Sequence, residues 1–303
     1  MSSLQLDVPR TYLRVAELWR MDESSQALIH AGGYYSVHQH FGEFSRNLTF
    51  PIGRGLIGRC ADSMSPILLD ELAPDSGFLR AELAKREGLT LGLALPLSEL
   101  GGKKGVLALF FSQDRNMPSG GVEVWSTEAK STALSLRFAH HGIAEDFRRA
   151  SSQLTFPIGV GLPGRIAQKR IPELLNELSH PSEFLRAIAA ETSGFTQAVG
   201  LPVDGMANAV VVLLGHKNQP LALRAELWGH VAGSAFEPIA VQRATPEASI
   251  VFDRIPWLER AERLREPVVF SFLEPNAPDV PHGGIILPHF PTDQSCLSCA
   301  LIW

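Results

Sequence analysis

The hydrophobic residues of this chain fall mainly into short apolar runs separated by polar turns. One run contains AELW and leads through the turn MDESSQ into ALIHAGGYY, and further on LTLGLALPL and KGVLALFF follow each other across a glycine-rich turn. Apolar runs of this length, bounded by turn residues, predict strands, and the last two predict a β-hairpin.

Two segments between these strands have helical features. LIGRCADS follows a glycine-rich turn, and SGFLRAELAKREG begins at Ser76, carries Glu82 in its first turns and ends at Gly88. A serine at the start and a glycine at the end are typical helix boundaries. PILL, between the two helices, predicts a short extended segment. The predicted order β-β-α-β-α-β-β describes an antiparallel sheet with helices on one face, which is an α+β layer.

This pattern is repeated along the chain. LTFPIGRGLIGR at 48–59 is matched by LTFPIGVGLPGR at 154–165, an offset of 106 residues. AELW at 16–19 is answered by VEVW at 122–125 and again by AELW at 225–228. The long ungapped match indicates an internal duplication, and the third AELW indicates three copies of one unit.

The third copy is reduced. Its segment 250–270 can be aligned with the second glycine-turn segment so that Arg260 matches Arg165, but the glycines of the turn are gone. FLRA, which both earlier copies contain, is missing, whereas GGIILPHF and CLSCALIW still supply two strands. We therefore expect three units, at 1–115, 116–219 and 220–303. The short links between them leave open whether neighbouring units exchange a strand.

The glycine turns have the spacing G-x-G-x-x-G of dinucleotide-binding folds. The glycines are Gly53, Gly55 and Gly58 in the first copy and Gly159, Gly161 and Gly164 in the second. A dinucleotide turn follows a buried parallel strand, and Pro51 argues against such a strand here. Pro163 lies inside the second motif, where it suits the first turn of a short helix. We therefore expect structural turns, in which glycine supplies special backbone angles and close packing.

The combination F-P-I-G-x-G-L-x-G-R, P-x-L-L, F-L-R-A and two closing strands resembles the GAF domain, a small-molecule-sensing relative of the PAS fold. The resemblance covers nearly all of the first two units and only the strands of the third. It implies three tandem GAF-like units in which the glycine turn and its helix cover one end of a pocket over the sheet. VEVW with GLPGR and IPEL is also similar to the GAF-like amino-terminal half of plant NIN-like regulators, without the DNA-binding segment of those proteins.

Composition narrows the possible partners. A formal net charge of −5, a pI near 6.1 and the absence of any basic cluster predict no binding to nucleic acid or to an anionic membrane. The amino-terminal residues lack an apolar core segment and no long apolar run occurs, so we expect neither a signal peptide nor a membrane span. The expected location is the cytoplasm.

The three cysteines, Cys60, Cys296 and Cys299, are too few for a disulfide framework. The last two form C-x-x-C inside the apolar run CLSCALIW, which predicts a strand. Residues three apart in a strand point to opposite faces, so we predict that this pair holds no metal and runs no redox cycle. The cofactor is left unknown.

The remaining candidates are histidines, arginines and one thiol near the glycine turns and the second strands. Solvated loop histidines and an arginine that pairs with a carboxylate or carbonyl groups are the simplest interpretations, and contact with a ligand is the alternative. The candidate ligand-binding residues are His38, His40, Arg59, Cys60, His140, His141 and Arg165.

The sequence thus predicts a non-enzymatic sensory or regulatory GAF module that binds a small molecule of unknown identity and acts through a protein partner or self-association. No catalytic triad can be assembled from the residue spacing. Two alternatives stay open: a structural or interaction scaffold whose pockets are filled by side chains, and an enzyme of unrecognised type that uses Cys60 or the His38/His40 loop.

Overall fold

A computed structural model describes residues 10–303 except 101, 114–115, 129–130, 207, 232–233, 245–252, 275–276 and 293–294, and it describes no side chain for 99 or 273–281. Two predictions therefore fall on residues outside the described ones. They are the absence of a targeting segment in residues 1–9 and the start of the aligned segment 250–270. Among the described residues, no helix is long and apolar enough to cross a membrane.

Sheet one has six strands, and every hydrogen-bonded pair in it is antiparallel. They lie in the order β3-β2-β1-β6-β5-β4. The strands are β1 (Leu13–Asp22), β2 (Ala27–Tyr34), β3 (Thr49–Pro51), β4 (Ile67–Leu69), β5 (Leu91–Leu100) and β6 (Lys103–Phe111). The helices above it are α1 (Gln39–Arg46), α2 (Gly55–Ser63) and α3 (Ala81–Arg86).

Sheet two repeats this arrangement in the order β10-β11-β12-β7-β8-β9. Its strands are β7 (Gly121–Thr127), β8 (Ala133–His140), β9 (Thr155–Pro157), β10 (Glu173–Leu175), β11 (Phe195–Pro202) and β12 (Ala209–His216). Its helices are α4 (Glu145–Ser152), α5 (Gly161–Lys169) and α6 (Ala187–Ser193).

Sheet three is the reduced version, with five strands in the order β14-β13-β17-β16-β15. The strands are β13 (Arg224–Val231), β14 (Glu237–Arg243), β15 (Val268–Glu274), β16 (Ala277–Thr292) and β17 (Ser295–Ile302), and the helix among the described residues of this part is α7 (Ile255–Leu264). Three antiparallel sheets with short helices confirm the α+β class predicted from the sequence. Each sheet takes its strands from one continuous stretch of the chain.

The helices α1 and α4 and the three-residue strands after them were missed by the predicted element order. Both helices have eight residues, and neither has a side-chain hydrogen bond at its N-cap. In α4 the buried residues are only Phe147 and Ser151. Such a short helix contains too few apolar residues to stand out in the sequence, and it forms because its few buried residues pack against the sheet.

Both faces of each sheet are covered. Along β6, Val106, Ala108 and Phe110 pack under the helices of sheet one, whereas the alternating Leu107, Leu109 and Phe111 belong to a second core. Sheets two and three contribute to that second core in the same way, through alternate residues of β12 and β17. We call it the shared core. The sequence pattern predicts helices on one face of each sheet, and the shared core covers the other face.

Polar contacts also join the sheets. Gln242 on β14 donates hydrogen bonds of 2.8 Å to the carbonyl oxygens of Leu175 and Ala198 in sheet two. Tyr34 on β2 donates its hydroxyl hydrogen to the carbonyl oxygen of Trp303, and the Trp303 indole donates to the carbonyl of Arg14. The Gln242 bonds join sheet three to sheet two, and the Trp303 bonds join the end of the chain to sheet one. The three sheets therefore form one packed body.

Candidate functional site

The predicted histidines do not form one site. His38 is buried, with its Nδ1 3.2 Å from Glu87 Oε2, whereas His40 is 83% exposed. His141 is buried with its Nε2 2.8 Å from Glu123 Oε1, and His140 is half-buried beside Gln113. The interpretation as solvated loop histidines is therefore wrong for His38 and His141, because each has a carboxylate partner within the fold.

The other candidates also lie apart. Arg165 donates from Nε to both carboxylate oxygens of Glu173, at 2.9 and 3.1 Å, and from Nη1 to the carbonyl of Glu183 at 3.2 Å. Arg59 is exposed on α2. Cys60 is fully buried, and burial raises the pKa of its thiol to about 12. A buried thiol with a raised pKa is a poor nucleophile because little thiolate forms.

The glycine turns link a short edge strand to α2 and to α5. Gly53 and Gly55 have φ angles of 77° and 63°, in the left-handed region that glycine adopts without strain. A Cβ at Gly58 would collide with the carbonyl oxygen of Pro51. The second copy has the same geometry. These glycines allow the backbone to turn closely from the edge strand into the helix. The turn lies beside the buried ion pair of Glu17 and Arg80.

A buried ion pair lies between sheet one and its helices. Glu17 on β1 accepts hydrogen bonds of 2.7 and 3.0 Å from the guanidinium of Arg80, the residue that precedes α3. The Trp19 indole also donates to Glu17, at 2.9 Å, and Ser45 on α1 accepts from Arg80. Both charged side chains are completely buried.

Aromatic rings surround the arginine. The Arg80 Cζ atom lies 4.4 Å from the ring centroid of Phe41 and 5.0 Å from that of Phe110. The rings of Trp19, Phe50 and Phe78 lie between 5.4 and 5.7 Å from Cζ. A cation over aromatic faces is attracted by the ring quadrupole, more strongly when it is desolvated. The guanidinium and its rings therefore fill the space between sheet and helices.

Sheet two contains the same arrangement 106 residues later. Glu123 accepts from the Trp125 indole and from Arg186, and Arg186 also donates to Ser151 at 2.6 Å. Four rings lie between 4.7 and 5.8 Å from the Arg186 Cζ atom. His141, in the place that Tyr35 occupies in the first copy, adds a contact to the carboxylate.

The third copy keeps the buried carboxylate, but the arginines that pair with it come from other positions in the repeat. Glu226 on β13 accepts from the Trp228 indole at 2.7 Å. Arg254, which precedes α7, lies 2.6 Å from Glu226, and Arg224, two residues earlier on the same strand, pairs with the other oxygen. FLRA is missing from this copy, yet the carboxylate is still compensated, as burial of a charge requires.

The Arg80 guanidinium affects the pKa of Glu17. Burial alone would raise the pKa of this carboxyl group, but the charge and hydrogen bonds of Arg80 lower it below its ordinary value. Arg186 and His141 lower the pKa of Glu123 in the same way against the effect of burial. Both carboxylates are therefore charged at neutral pH.

Cys296 and Cys299 lie on the strand β17, as predicted. Cys299 faces the shared core, and burial raises its pKa to about 12, whereas Cys296 lies beside Ser298, with its Sγ 3.6 Å from the hydroxyl oxygen. Among the described residues, no three His, Cys, Asp or Glu side chains are grouped as a metal site would require.

Sequence reasoning did not identify Glu17, Arg80 or their counterparts as a site. The signal was present, because E-x-W recurs in all three copies and FLRA in two. A glutamate inside an apolar strand has to find a cation or lose its charge. The matching arginine in each of the first two copies lies 63 residues after the glutamate.

No protein-family model matches the chain, and no curated protein sequence matches it. Among solved structures, the chain is similar to free methionine-R-sulfoxide reductase from Neisseria meningitidis, with 15% identity, 34% of this chain and 56% of that one covered, and a TM-score of 0.26. It is also similar to the GAF domain of a phosphoenolpyruvate-protein phosphotransferase from Coxiella burnetii, with 23% identity, coverage of 33% and 58%, and a TM-score of 0.27. This chain spans little more than half the length of either protein.

A third similar structure is the GAF domain of a two-component sensor histidine kinase from Bacillus halodurans. The identity is 16%, the match covers 35% of this chain and 68% of that one, and the TM-score is 0.26. Each of these structural matches covers about one third of this chain. The ligands and activities of those proteins are properties of those proteins.

Proposed function

We propose that this protein is a non-enzymatic regulatory module of three GAF-like units, at 1–115, 116–219 and 220–303, that acts through protein partners. The pockets of units one and two are occupied by the protein's own arginines. The observation that carries the proposal is the burial of Arg80 and Arg186 among aromatic rings between sheet and helices.

The occupied space is where the resemblance to GAF domains places a ligand. Arg80 supplies the cation, Glu17 its counter-ion, and the surrounding phenylalanine rings the apolar wall. A small molecule could enter only by displacing an ion pair whose separated charges would remain buried, and uncompensated buried charges are costly. Among the alternatives set out from the sequence, this geometry favours the filled-pocket module over a sensor with a ligand in each unit.

The enzymatic alternative depends on Cys60 or on the His38/His40 loop. Cys60 is buried with a raised pKa, and His38 is held by Glu87 while His40 points into solvent. A nucleophile needs a partner that activates it and access to substrate. Cys60 and His38 have no access to substrate because they are buried, which supports a role in contact rather than in turnover. The similarity to plant NIN-like regulators and the cytoplasmic location stay predictions.

The proposal is tested by cross-linking the tagged full chain in its own cells and then measuring binding of the purified partner by calorimetry. We expect saturable binding that is unchanged in Cys60→Ser, and no turnover of free methionine sulfoxide. Turnover that Cys60→Ser abolishes would overturn the proposal. So would a crystal structure with a bound small molecule among the rings of Phe41, Phe78 and Phe110.

A further inference from the structure

A cavity of about 360 Å³ lies where the three sheets meet. Each sheet contributes a Leu-Pro pair at the same place in the repeat, on β5, β11 and β16. The pairs are Leu95-Pro96, Leu201-Pro202 and Leu287-Pro288. We call this space the Leu-Pro cavity. It is separate from the arginine-filled spaces, and its volume is within the range of small-molecule sites.

Two arginines line the cavity from equivalent positions. Arg170 follows α5 and Arg265 follows α7, and both have left-handed backbone angles, with φ of 57° and 54°. The corresponding residue after α2 is Met64, with φ of 48°. Units two and three thus each place a cation at the cavity, whereas unit one places a thioether at the equivalent position.

The two guanidinium groups are held differently. Arg170 donates hydrogen bonds of 2.7 and 2.8 Å to the carbonyl oxygens of Met206 and Val203. The Arg265 guanidinium carbon lies 4.0 Å from the ring centroid of Phe290, and its side chain donates no hydrogen bond to the described residues. This position over the ring leaves the hydrogen-bond donors of Arg265 available for a ligand.

Of the remaining polar groups, Asp204 carries a negative charge that offsets one of the two arginines, so the lining keeps one net positive charge. Asp204, which lines the cavity, is already bound by the Ser98 amide and hydroxyl groups at 2.5 and 2.7 Å. The Nε2 atom of His289 is buried and has no hydrogen-bond partner among the described residues. Burial lowers the pKa of His289 to about 4, so its ring is neutral and can donate a hydrogen bond.

We propose that the Leu-Pro cavity binds a small organic acid, with its carboxylate at Arg265 and Arg170 and its apolar body between the Leu-Pro pairs. An arginine fork matches a carboxylate in shape and charge. The leucine and proline side chains offer an apolar wall, and His289 offers a further donor. This site would make the protein a sensor at the junction of its units, independently of whether the unit pockets are filled.

The test uses benzoate and hexanoate as probes on the full chain, with benzamide as the neutral analogue of benzoate. We expect saturable binding of at least one acid by calorimetry at millimolar concentration, and binding of benzamide about tenfold weaker. With ¹³C-labelled histidine, the ring signal that disappears in His289→Gln is expected to shift on addition of the acid.

Two variants assign the carboxylate contact. Arg265→Gln and Arg170→Met are each expected to weaken binding about tenfold, and methionine is compatible with the backbone because Met64 has the same conformation in unit one. Arg149→Gln, which removes an exposed arginine on α4 outside the cavity, is the matched control and should bind normally. Should Arg170→Met fail to fold, Arg265→Gln decides alone. Failure of both acids to bind, or equal binding by Arg265→Gln, would overturn the proposal.

Discussion

The guanidinium of Arg80 is bound to the carboxylate of Glu17 in a space closed to solvent, and Arg186 and Glu123 repeat this pairing with the same separation of 63 residues. The duplication has therefore preserved two distant partners together, one in the first strand and one before the last helix of the unit. The pair ties the helical layer to the sheet.

Acid should lower the free energy of unfolding through protonation of the buried carboxylates Glu17 and Glu123. The pKa of Glu17 is lower in the folded protein than its ordinary value of 4.5. Such a group contributes stability above the pKa of the unfolded chain, and this contribution is lost as the pH falls below about 4.5. Urea unfolding from about pH 7 to about pH 3 should show the loss. In Glu17→Gln the protein should be less stable at neutral pH and show a smaller loss on acidification, and an unchanged pH profile would contradict this.

The two arginines at Glu226 should be less critical individually than Arg80. Removal of one partner of a buried pair typically costs about 3–5 kcal/mol because a charge is left uncompensated. In Arg254→Ala, Arg224 still compensates Glu226, so we expect a smaller loss than in Arg80→Ala. The free energy of unfolding of both variants, measured in urea, provides the comparison. Equal losses would show that Arg224 does not act as the second cation.

The cysteines should resist labelling in the folded protein. All three are buried, and burial raises the pKa of Cys60 and of Cys299 to about 12. Little thiolate is therefore present at neutral pH. We expect slow reaction with a thiol reagent in buffer and complete reaction in urea. Rapid labelling of Cys60 in the native state, located by peptide mapping, would show an accessible thiol.

The shared core should couple the three sheets in unfolding. Leu109 on β6 packs in that core with residues of sheets two and three. Leu109→Ala should cost about 2–5 kcal/mol through the cavity it leaves. Hydrogen exchange should then speed up in β12 and β17 as well as in β6. Leu79→Ala, at a side chain that is 59% exposed, is the control. Exchange that changes in sheet one alone would indicate independently folding units.

The repeat and the turn chemistry were sufficient to predict the α+β class and most strands. LTLGLALPL and KGVLALFF became β5 and β6, and PILL contains β4. The eight-residue helix α1 was missed because Phe41 and Phe44 are its only large apolar residues, and its burial depends on tertiary packing around Phe41. Continuous apolar strands such as KGVLALFF also indicate burial on both faces, so the shared core had a signal that was not used.

The sites were harder to predict. Glu17 and Arg80 could have been paired from the sequence, because their separation of 63 residues recurs between Glu123 and Arg186. A charge inside an apolar strand requires compensation. The loss of FLRA in the third copy gave no indication that Arg224 and Arg254 would replace it, since neither occupies an equivalent position. The Leu-Pro cavity arises only when three distant segments assemble, and no local pattern specifies that assembly.

The most direct test of the central claim is chemical rescue of Arg80→Ala. If the arginine fills the pocket of unit one, its removal should lower the free energy of unfolding by about 3–5 kcal/mol and leave a cavity lined by Glu17 and aromatic rings. Millimolar methylguanidinium should then raise the melting temperature of Arg80→Ala, because the cation binds the folded state, and should leave the wild type unchanged. A variant as stable as the wild type, or one that methylguanidinium does not stabilise, would contradict the filled pocket.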